Sequence, residues 1–198
     1  MAESNPALSS DAPSPSTSEG LDPSLPHPSR RLTSGTPSQA IQSALQGLFA
    51  AELLNPGPDL WMALPRIWNV LILDNRANAF HHLEPTWPQS EVRLLNVLEK
   101  VMQEGTSVRV IASDHYKNET FAGEFRNLEA ARSRGDYRAV SNWAPIESGI
   151  VASSFCVRGA LQFSQHGLSV TGGEAHIYAK NGAIEDYKRT FEDQWLTA

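Results

Sequence analysis

Segments with helical periodicity alternate with short apolar runs along most of this chain, and that alternation limits the folds open to it. The clearest helix lies in SEVRLLNVLEKVMQEG, where Leu94, Leu98 and Val101 fall on one face and Gly105 ends the pattern. SVRVIAS follows at once as an apolar run of strand length. Such alternation predicts an α/β fold, in which helices pack on the faces of a β-sheet.

The same pattern places the other main elements. A helix is expected to begin at Thr36, which caps it ahead of a proline, and to stop at the turn residues 55–58. The apolar run 68–73 is continuous enough for a strand buried on both faces. Two further strands are predicted within 149–163, and a helix over 183–196 closes the chain.

The composition of the chain changes near residue 35. Residues 1–35 are rich in Ser and Pro and hold almost no large apolar side chains, so burial cannot offset the entropy of ordering them. We therefore predict a disordered tail over residues 1–35 and one folded domain over residues 36–198. The 198-residue chain, 40% hydrophobic, suits a single domain.

Charge and cysteine content bear on compartment and partners. The single cysteine, Cys156, cannot form a disulfide within the chain, which fits a reducing cytoplasm. No apolar run reaches the roughly 20 residues of a membrane span, and no secretory signal pattern is present. We expect a cytoplasmic protein with no membrane contact. A net charge of −6 argues against broad nucleic-acid binding but leaves room for a local basic groove.

The stretch GALQFSQHG, which begins at Gly159, is close to a pattern written G-S-x-N-F-[ST]. Ala160 stands at the Ser position and Gln162 at the Asn position. With the helix that ends in Gly, the strand SVRVIAS and the closing FEDQW, it resembles one domain of the phospholipase D superfamily, over residues 40–196. The resemblance implies a mixed sheet flanked by helices on both faces in a single domain.

A narrower resemblance concerns the segments LFAAELLNPGPDLW, LDNRANAF and LEPTW. They are similar to a small branch of the superfamily found with bacterial 7-deazaguanine DNA-modification systems. This implies a binding or structural role in DNA modification or defence, with DNA or other proteins of such a system as partners and no cofactor. Small members with one motif complete their site by dimerising, so the resemblance also implies a homodimer, with its two-fold axis near residues 146–153.

The superfamily's chemistry uses an H-x-K-x-x-x-x-D motif, in which one His attacks phosphorus and a second copy's His protonates the leaving oxygen. Aligned on Gly159, the motif falls on IESGIVAS. Ile146 then stands at the nucleophile, Ser148 at the Lys and Ser153 at the Asp. An aliphatic side chain cannot attack phosphorus, and Ser148 carries no positive charge. The resemblance therefore implies a degenerate site with no catalytic residue intact.

Six further residues are candidates for lining a pocket. They are Gln162, Ser164, Glu174, Asp74, Asn75 and His115. Asp74 and Asn75 follow a predicted strand, and α/β folds bind ligands at the carboxyl ends of strands. Glu174 stands where superfamily members often carry an acidic residue. His115 opens HYK, which imitates H-x-K, but Ala122 stands where that motif needs Asp, so a polar loop is the plainer interpretation.

Other chemistry has little support in the sequence. His81 and His82 are adjacent in an extended segment and point in opposite directions, so we predict no metal site. Two alternatives to a degenerate phospholipase-D-like protein remain. One is an active phosphodiesterase or nuclease that uses non-standard residues or a partner's motif. The other is a plain α/β protein with an accidental likeness, which would have no strand pair from 149–163 in the centre of its sheet.

Overall fold

A seven-stranded mixed β-sheet forms the centre of the protein. The computed structural model describes residues 29–179 and 181–198. In chain order the elements are β1 (Arg30–Thr33), α1 (Ser38–Leu54), β2 (Asp59–Leu64), β3 (Leu71–Asp74), β4 (Glu91–Arg93), α2 (Leu94–Gln103), β5 (Ser107–Ser113), a 3-10 helix (Tyr116–Asn118), α3 (Glu119–Asn127), α4 (Ala131–Arg134), β6 (Gly135–Val140), β7 (Gly149–Val151), β8 (Cys156–Ser164), β9 (Gly167–Tyr178) and α5 (Asn181–Thr197). The strand order in the main sheet is β1-β9-β8-β7-β2-β5-β6.

The sheet changes direction at β2. Strands β2, β5 and β6 run parallel to one another, while β7 lies antiparallel to β2 on its other side. Strands β7, β8, β9 and β1 continue as antiparallel neighbours. Because β2 is covered on both faces, its sequence DLWMAL is a continuous apolar run rather than an alternating one.

Helices cover both faces of the sheet. Leu60 and Met62 of β2 point into the larger apolar cluster, which includes side chains of α1, α2 and α3. Trp61 points the opposite way and stacks on Phe191 of α5, with ring centroids 5.2 Å apart. Alternation along one strand thus serves two cores. The predicted single-domain α/β fold, a mixed sheet with helices on both faces, is confirmed.

The hairpin formed by β7 and β8 occupies the middle of the sheet, between β2 and β9. The two strands predicted within 149–163 are therefore present and central, which the accidental-likeness alternative does not allow. A register shift in the β8–β9 pairing falls at Gly159, whose φ is +116°. A Cβ there would lie 2.1 Å from the carbonyl oxygen of Glu174. The backbone itself requires glycine at this position.

The tail boundary predicted at residue 35 is wrong for one short segment. Residues 30–33 form β1, which pairs antiparallel with β9, and Leu32 is fully buried. Four residues with one buried apolar side chain are too few to show a periodic pattern in the sequence. The strand forms because its main-chain groups pair with those of β9. Residues 1–28 of the predicted tail lie outside the described residues.

Two other sequence predictions are also corrected. The buried central strand is β2, whereas the run 68–73 only contributes to β3, which pairs with β4 in a separate two-stranded sheet. The second helix begins at Leu94, because residues 91–93 extend to form β4 before it. Arg93 stands at the N-cap of this helix. In the part of the chain described, no helix has the length and apolar character needed to cross a membrane.

Candidate functional site

The parallel strands β2, β5 and β6 end at one edge of the sheet, and the loops that follow them form a crevice there. Pro65, just after β2, accepts hydrogen bonds through its carbonyl oxygen from the Ser113 hydroxyl at 2.7 Å and the Asn118 amide at 3.0 Å. Asn118 is buried and also accepts from the backbone N–H of Ile67 at 3.1 Å. These contacts fix the loops after β2 and β5 against each other. Ligands of α/β proteins commonly bind at such an edge.

His115 follows β5 and lies in this crevice. Its Nδ1 accepts a hydrogen bond from the backbone N–H of Lys117 at 3.1 Å and lies 3.1 Å from Nη1 of Arg66. A backbone N–H and a guanidinium are donors only. Nδ1 must therefore be an acceptor, and a neutral ring then carries its proton on Nε2.

The charge around His115 favours that neutral form. Desolvation, together with the positive charges of Arg66 and Lys117, lowers the pKa of His115 below its ordinary value of 6.5, and Asp114 opposes the shift only in part. The imidazole is half-buried and stacks on the ring of Tyr116, with centroids 4.5 Å apart. His115 is thus held as a neutral group with an Nε2–H donor.

A cavity of about 250 Å³ adjoins His115 at the ends of β5 and β6. Its charged and aromatic lining comprises Asp114, His115, Glu119, Arg126 and Tyr137. The guanidinium carbon of Arg126 lies 5.2 Å from the centroid of the Tyr137 ring, and burial raises the pKa of Tyr137 to about 12. The two carboxylates offset the positive charge of this cavity.

Two of the three positions aligned with the catalytic motif precede β7, and the third follows it. Ile146 is buried in the apolar cluster beneath α5. Ser148 is half-buried beside β8, where its carbonyl oxygen accepts the Gly159 N–H at 2.8 Å. Ser153 follows the far end of β7, and five extended residues span up to about 16 Å. Ser148 and Ser153 therefore flank β7, one residue before it begins and two residues after it ends.

Ser153 lies in a tight turn at the amino end of β2. Its Oγ is buried and has no hydrogen-bond partner among the described residues. Nearby, the buried carboxylate of Glu52 accepts the Gly57 N–H at 2.8 Å and the Ser154 hydroxyl at 2.9 Å. A Cβ on Gly57 would meet both the Ser153 Oγ at 1.4 Å and a Glu52 oxygen at 3.2 Å. The close packing of Ser153 and Glu52 against Gly57 leaves no room for a side chain at Gly57.

Glu147, between the first two aligned positions, belongs to a network that the sequence analysis did not identify. The Arg158 guanidinium donates to both Glu147 carboxylate oxygens and to Asp186, each at 3.0 Å. These carboxylates raise the pKa of Arg158, and the Tyr187 hydroxyl donates to the Glu147 carbonyl oxygen at 3.0 Å. The sequence does hold an indication of this network: Arg158 is the one charged residue in the apolar run SSFCVRGALQF, and a charge in such a run needs a carboxylate partner.

Asp74 and Asn75 do not reach the crevice. Asp74 ends β3 in the small sheet, and Asn75 follows it. Asn75 is buried; its amide donates to the Pro88 carbonyl oxygen and accepts from the Phe80 N–H, each at 2.9 Å. Asp74 pairs with Arg76, whose hydrogen bonds lower the pKa of that carboxyl to about 2. Both residues shape the loop between β3 and β4.

The three candidates on β8 and β9 are spread along those strands. The Ser164 hydroxyl donates to the Gly167 carbonyl oxygen within the hairpin turn at 3.2 Å. Glu174 forms an ion pair with Arg31 of β1, whose hydrogen bond lowers the pKa of Glu174, and a Glu174 carboxylate oxygen lies 3.3 Å from Nε2 of His176. Gln162 is half-buried and lies next to Phe163, whose N–H donates to the Arg66 carbonyl oxygen at 3.1 Å. Gln162 is therefore adjacent to the Arg66 loop.

No protein-family model matches the chain, and none of the curated proteins matches it significantly. Similar solved structures include TrmBL2, an archaeal chromatin protein with a novel mode of DNA binding, at 9% identity and a TM-score of 0.45 over 77% of this chain and 49% of that one. Nuc from Salmonella typhimurium, a phospholipase D family member, is 12% identical, with a TM-score of 0.47, over 76% of this chain and 86% of that one. NucT from Helicobacter pylori is 11% identical, with a TM-score of 0.45, over 77% of this chain and 87% of that one.

The chain thus spans about half the length of TrmBL2 and most of the two others. With identities of 9–12% and TM-scores of 0.45–0.47, these similarities assign neither a family nor an activity to this chain.

Proposed function

We propose that this protein is a phospholipase-D-like protein with a degenerate active site, acting as a binding or structural component of a bacterial DNA-modification or defence system. One observation carries the proposal. The position aligned with the nucleophilic His holds Ile146, packed in an apolar cluster, and its neighbour Glu147 is neutralised by Arg158. Neither side chain can attack or hold a phosphate there.

The histidine nearest the crevice does not replace the missing nucleophile. Because Nδ1 of His115 faces two N–H donors, its Nε2 carries a proton and has no free lone pair for attack on phosphorus. His176 is tied to Glu174 near the sheet's far edge. This arrangement argues against the alternative of an active phosphodiesterase built on non-standard residues of this chain.

The assignment to DNA modification or defence rests on the narrower resemblance. The segments LFAAELLNPGPDLW, LDNRANAF and LEPTW are similar to those of DpdK, a small phospholipase-D-like protein of bacterial 7-deazaguanine DNA-modification systems. By that likeness the protein forms a homodimer and contacts DNA or other proteins of its system.

Hydrolysis assays test the proposal directly. The purified full chain is incubated with bis(4-nitrophenyl) phosphate and with single-stranded DNA, with and without a chelator. We expect no metal-independent turnover above the buffer rate, because loss of a catalytic nucleophile lowers rates by orders of magnitude. His115→Ala serves as the matched variant. Chelator-resistant hydrolysis that persists through purification would overturn the proposal, and its loss in His115→Ala would assign the activity to that histidine.

A further inference from the structure

Arg66, His115, Tyr116 and Lys117 form one basic and aromatic patch at the crevice, which we call the HYK patch. We propose that the HYK patch binds single-stranded nucleic acid, with phosphates on Arg66 and Lys117 and a base stacked on Tyr116. This deepens the proposed function, since it rests on a non-catalytic binding role and names the ligand. None of the four residues belongs to the positions aligned with the catalytic motif.

The cations of the HYK patch are available to an anion. Within residues 29–179 and 181–198, no carboxylate forms an ion pair with Arg66 or Lys117. Arg66 instead places its Nη1 3.1 Å from an imidazole nitrogen, which fixes the guanidinium without neutralising it. The Nε2–H of His115 adds a third donor. Arginine, lysine and a neutral imidazole N–H together match phosphate oxygens.

Tyr116 supplies the aromatic surface. It is 67% exposed, one of three large hydrophobic side chains among the described residues that remain open to solvent. Its ring rests on His115, and the Lys117 ammonium lies 5.9 Å from the ring centroid. An aromatic ring held on a rigid support beside cations is the arrangement on which nucleic-acid bases stack, without preference for sequence.

The surroundings favour a single strand over a duplex or a free phosphate. Base faces are hidden inside a duplex, so only an unpaired strand can use Tyr116 and the cations together. Asp114 and Glu119 line the adjoining cavity and repel phosphate from it. The strand therefore lies along the HYK patch rather than inside the cavity. The chain's net charge of −6 argues against sequence-independent binding over its whole surface.

Fluorescence anisotropy with a labelled 15-nucleotide oligo(dT) tests the site on the full chain. We expect binding at 20 mM NaCl that weakens with salt with a logarithmic slope of about −1.4, as two phosphate contacts predict. Tyr116→Ala, Arg66→Gln and Lys117→Gln should each weaken binding about five- to tenfold. The controls are Leu196→Ala, another exposed apolar side chain, and Arg132→Gln on α4, and both should bind like the unaltered protein.

Three results would overturn the site. They are no oligo(dT) binding at 20 mM NaCl, binding by Tyr116→Ala and Lys117→Gln as tight as that of the unaltered protein, or an affinity for a 15-base-pair duplex equal to that for oligo(dT). Circular dichroism melting of each variant checks that folding is intact, and if Arg66→Gln unfolds, Tyr116→Ala and Lys117→Gln still test the site. The hydrolysis assay is a separate readout. Absence of both hydrolysis and binding rejects this site alone, whereas hydrolysis rejects the proposed function.

Discussion

The guanidinium of Arg158 donates two parallel hydrogen bonds to the carboxylate of Glu147, both 3.0 Å long, across the β7–β8 hairpin. Such a bidentate pair fixes two strands in one relative position, because the planar donor fork matches the planar acceptor. It holds residues 146–148 against β8, at the place where the superfamily resemblance puts phosphate-binding side chains.

Replacing Arg158 with Lys should destabilise the fold. A lysine cannot form the two parallel bonds, so we expect the free energy of unfolding to fall by about 1–2 kcal/mol. Urea denaturation of both proteins measures this. Arg132→Lys on the exposed surface of α4 is the matched control and should leave the midpoint unchanged. Equal midpoints for Arg158→Lys and the unaltered protein would show that the pair is not structural.

Ser153 allows a direct test of the turn geometry. Ser153→Ala removes a buried hydroxyl that has no partner among the described residues, so stability should stay constant or rise by up to about 1 kcal/mol. Ser153→Asp restores the motif residue but brings a second carboxylate close to Glu52, so it should be strongly destabilising. Thermal melting of Ser153→Asp with and without Glu52→Gln separates charge repulsion from crowding, since only repulsion is relieved by the second change.

Glu84 should make stability depend on pH in the acid range. The Thr86 hydroxyl and backbone N–H, followed by Lys100, hold the pKa of Glu84 at about 2, below its ordinary 4.5. A carboxyl whose folded pKa is depressed contributes stability that is present above pH 4.5 and is lost as pH falls toward 2. Denaturation of Glu84→Gln between pH 5 and pH 2 should show a flatter decline than the unaltered protein. Thr86→Val should lie between them, and identical slopes for all three would contradict the assignment.

The homodimer implied by the resemblance can be placed more narrowly. All three residues of β7 are buried, so a two-fold axis near residues 146–153 would pass beside the exposed loop 141–145. We expect light scattering to give twice the 21.7 kDa chain mass, with an interface of about 1,200–2,000 Å² in total. Ala144→Arg should weaken the dimer, while Ser43→Arg on the exposed side of α1 should not. A monomeric mass at high micromolar concentration would remove this prediction.

The elements predicted correctly are those whose pattern is set by their own burial. SVRVIAS, the β7–β8 hairpin and α5 all bury residues at regular spacing. β1 escaped prediction because its stability comes from β9, more than 140 residues away. The contact between Arg66 and His115 joins residues 49 positions apart, and only the parallel pairing of β2 with β5 brings them together.

Gly159 shapes how relatives of this chain can be recognised. Its left-handed backbone and the nearby Glu174 carbonyl oxygen demand glycine whether or not any phosphate is ever bound. A sequence pattern centred on this glycine therefore reports backbone shape and says nothing about chemistry. A chain can therefore match this strand pattern through its glycine while carrying, as here, Ala160 and Gln162 at the positions of the Ser and the Asn.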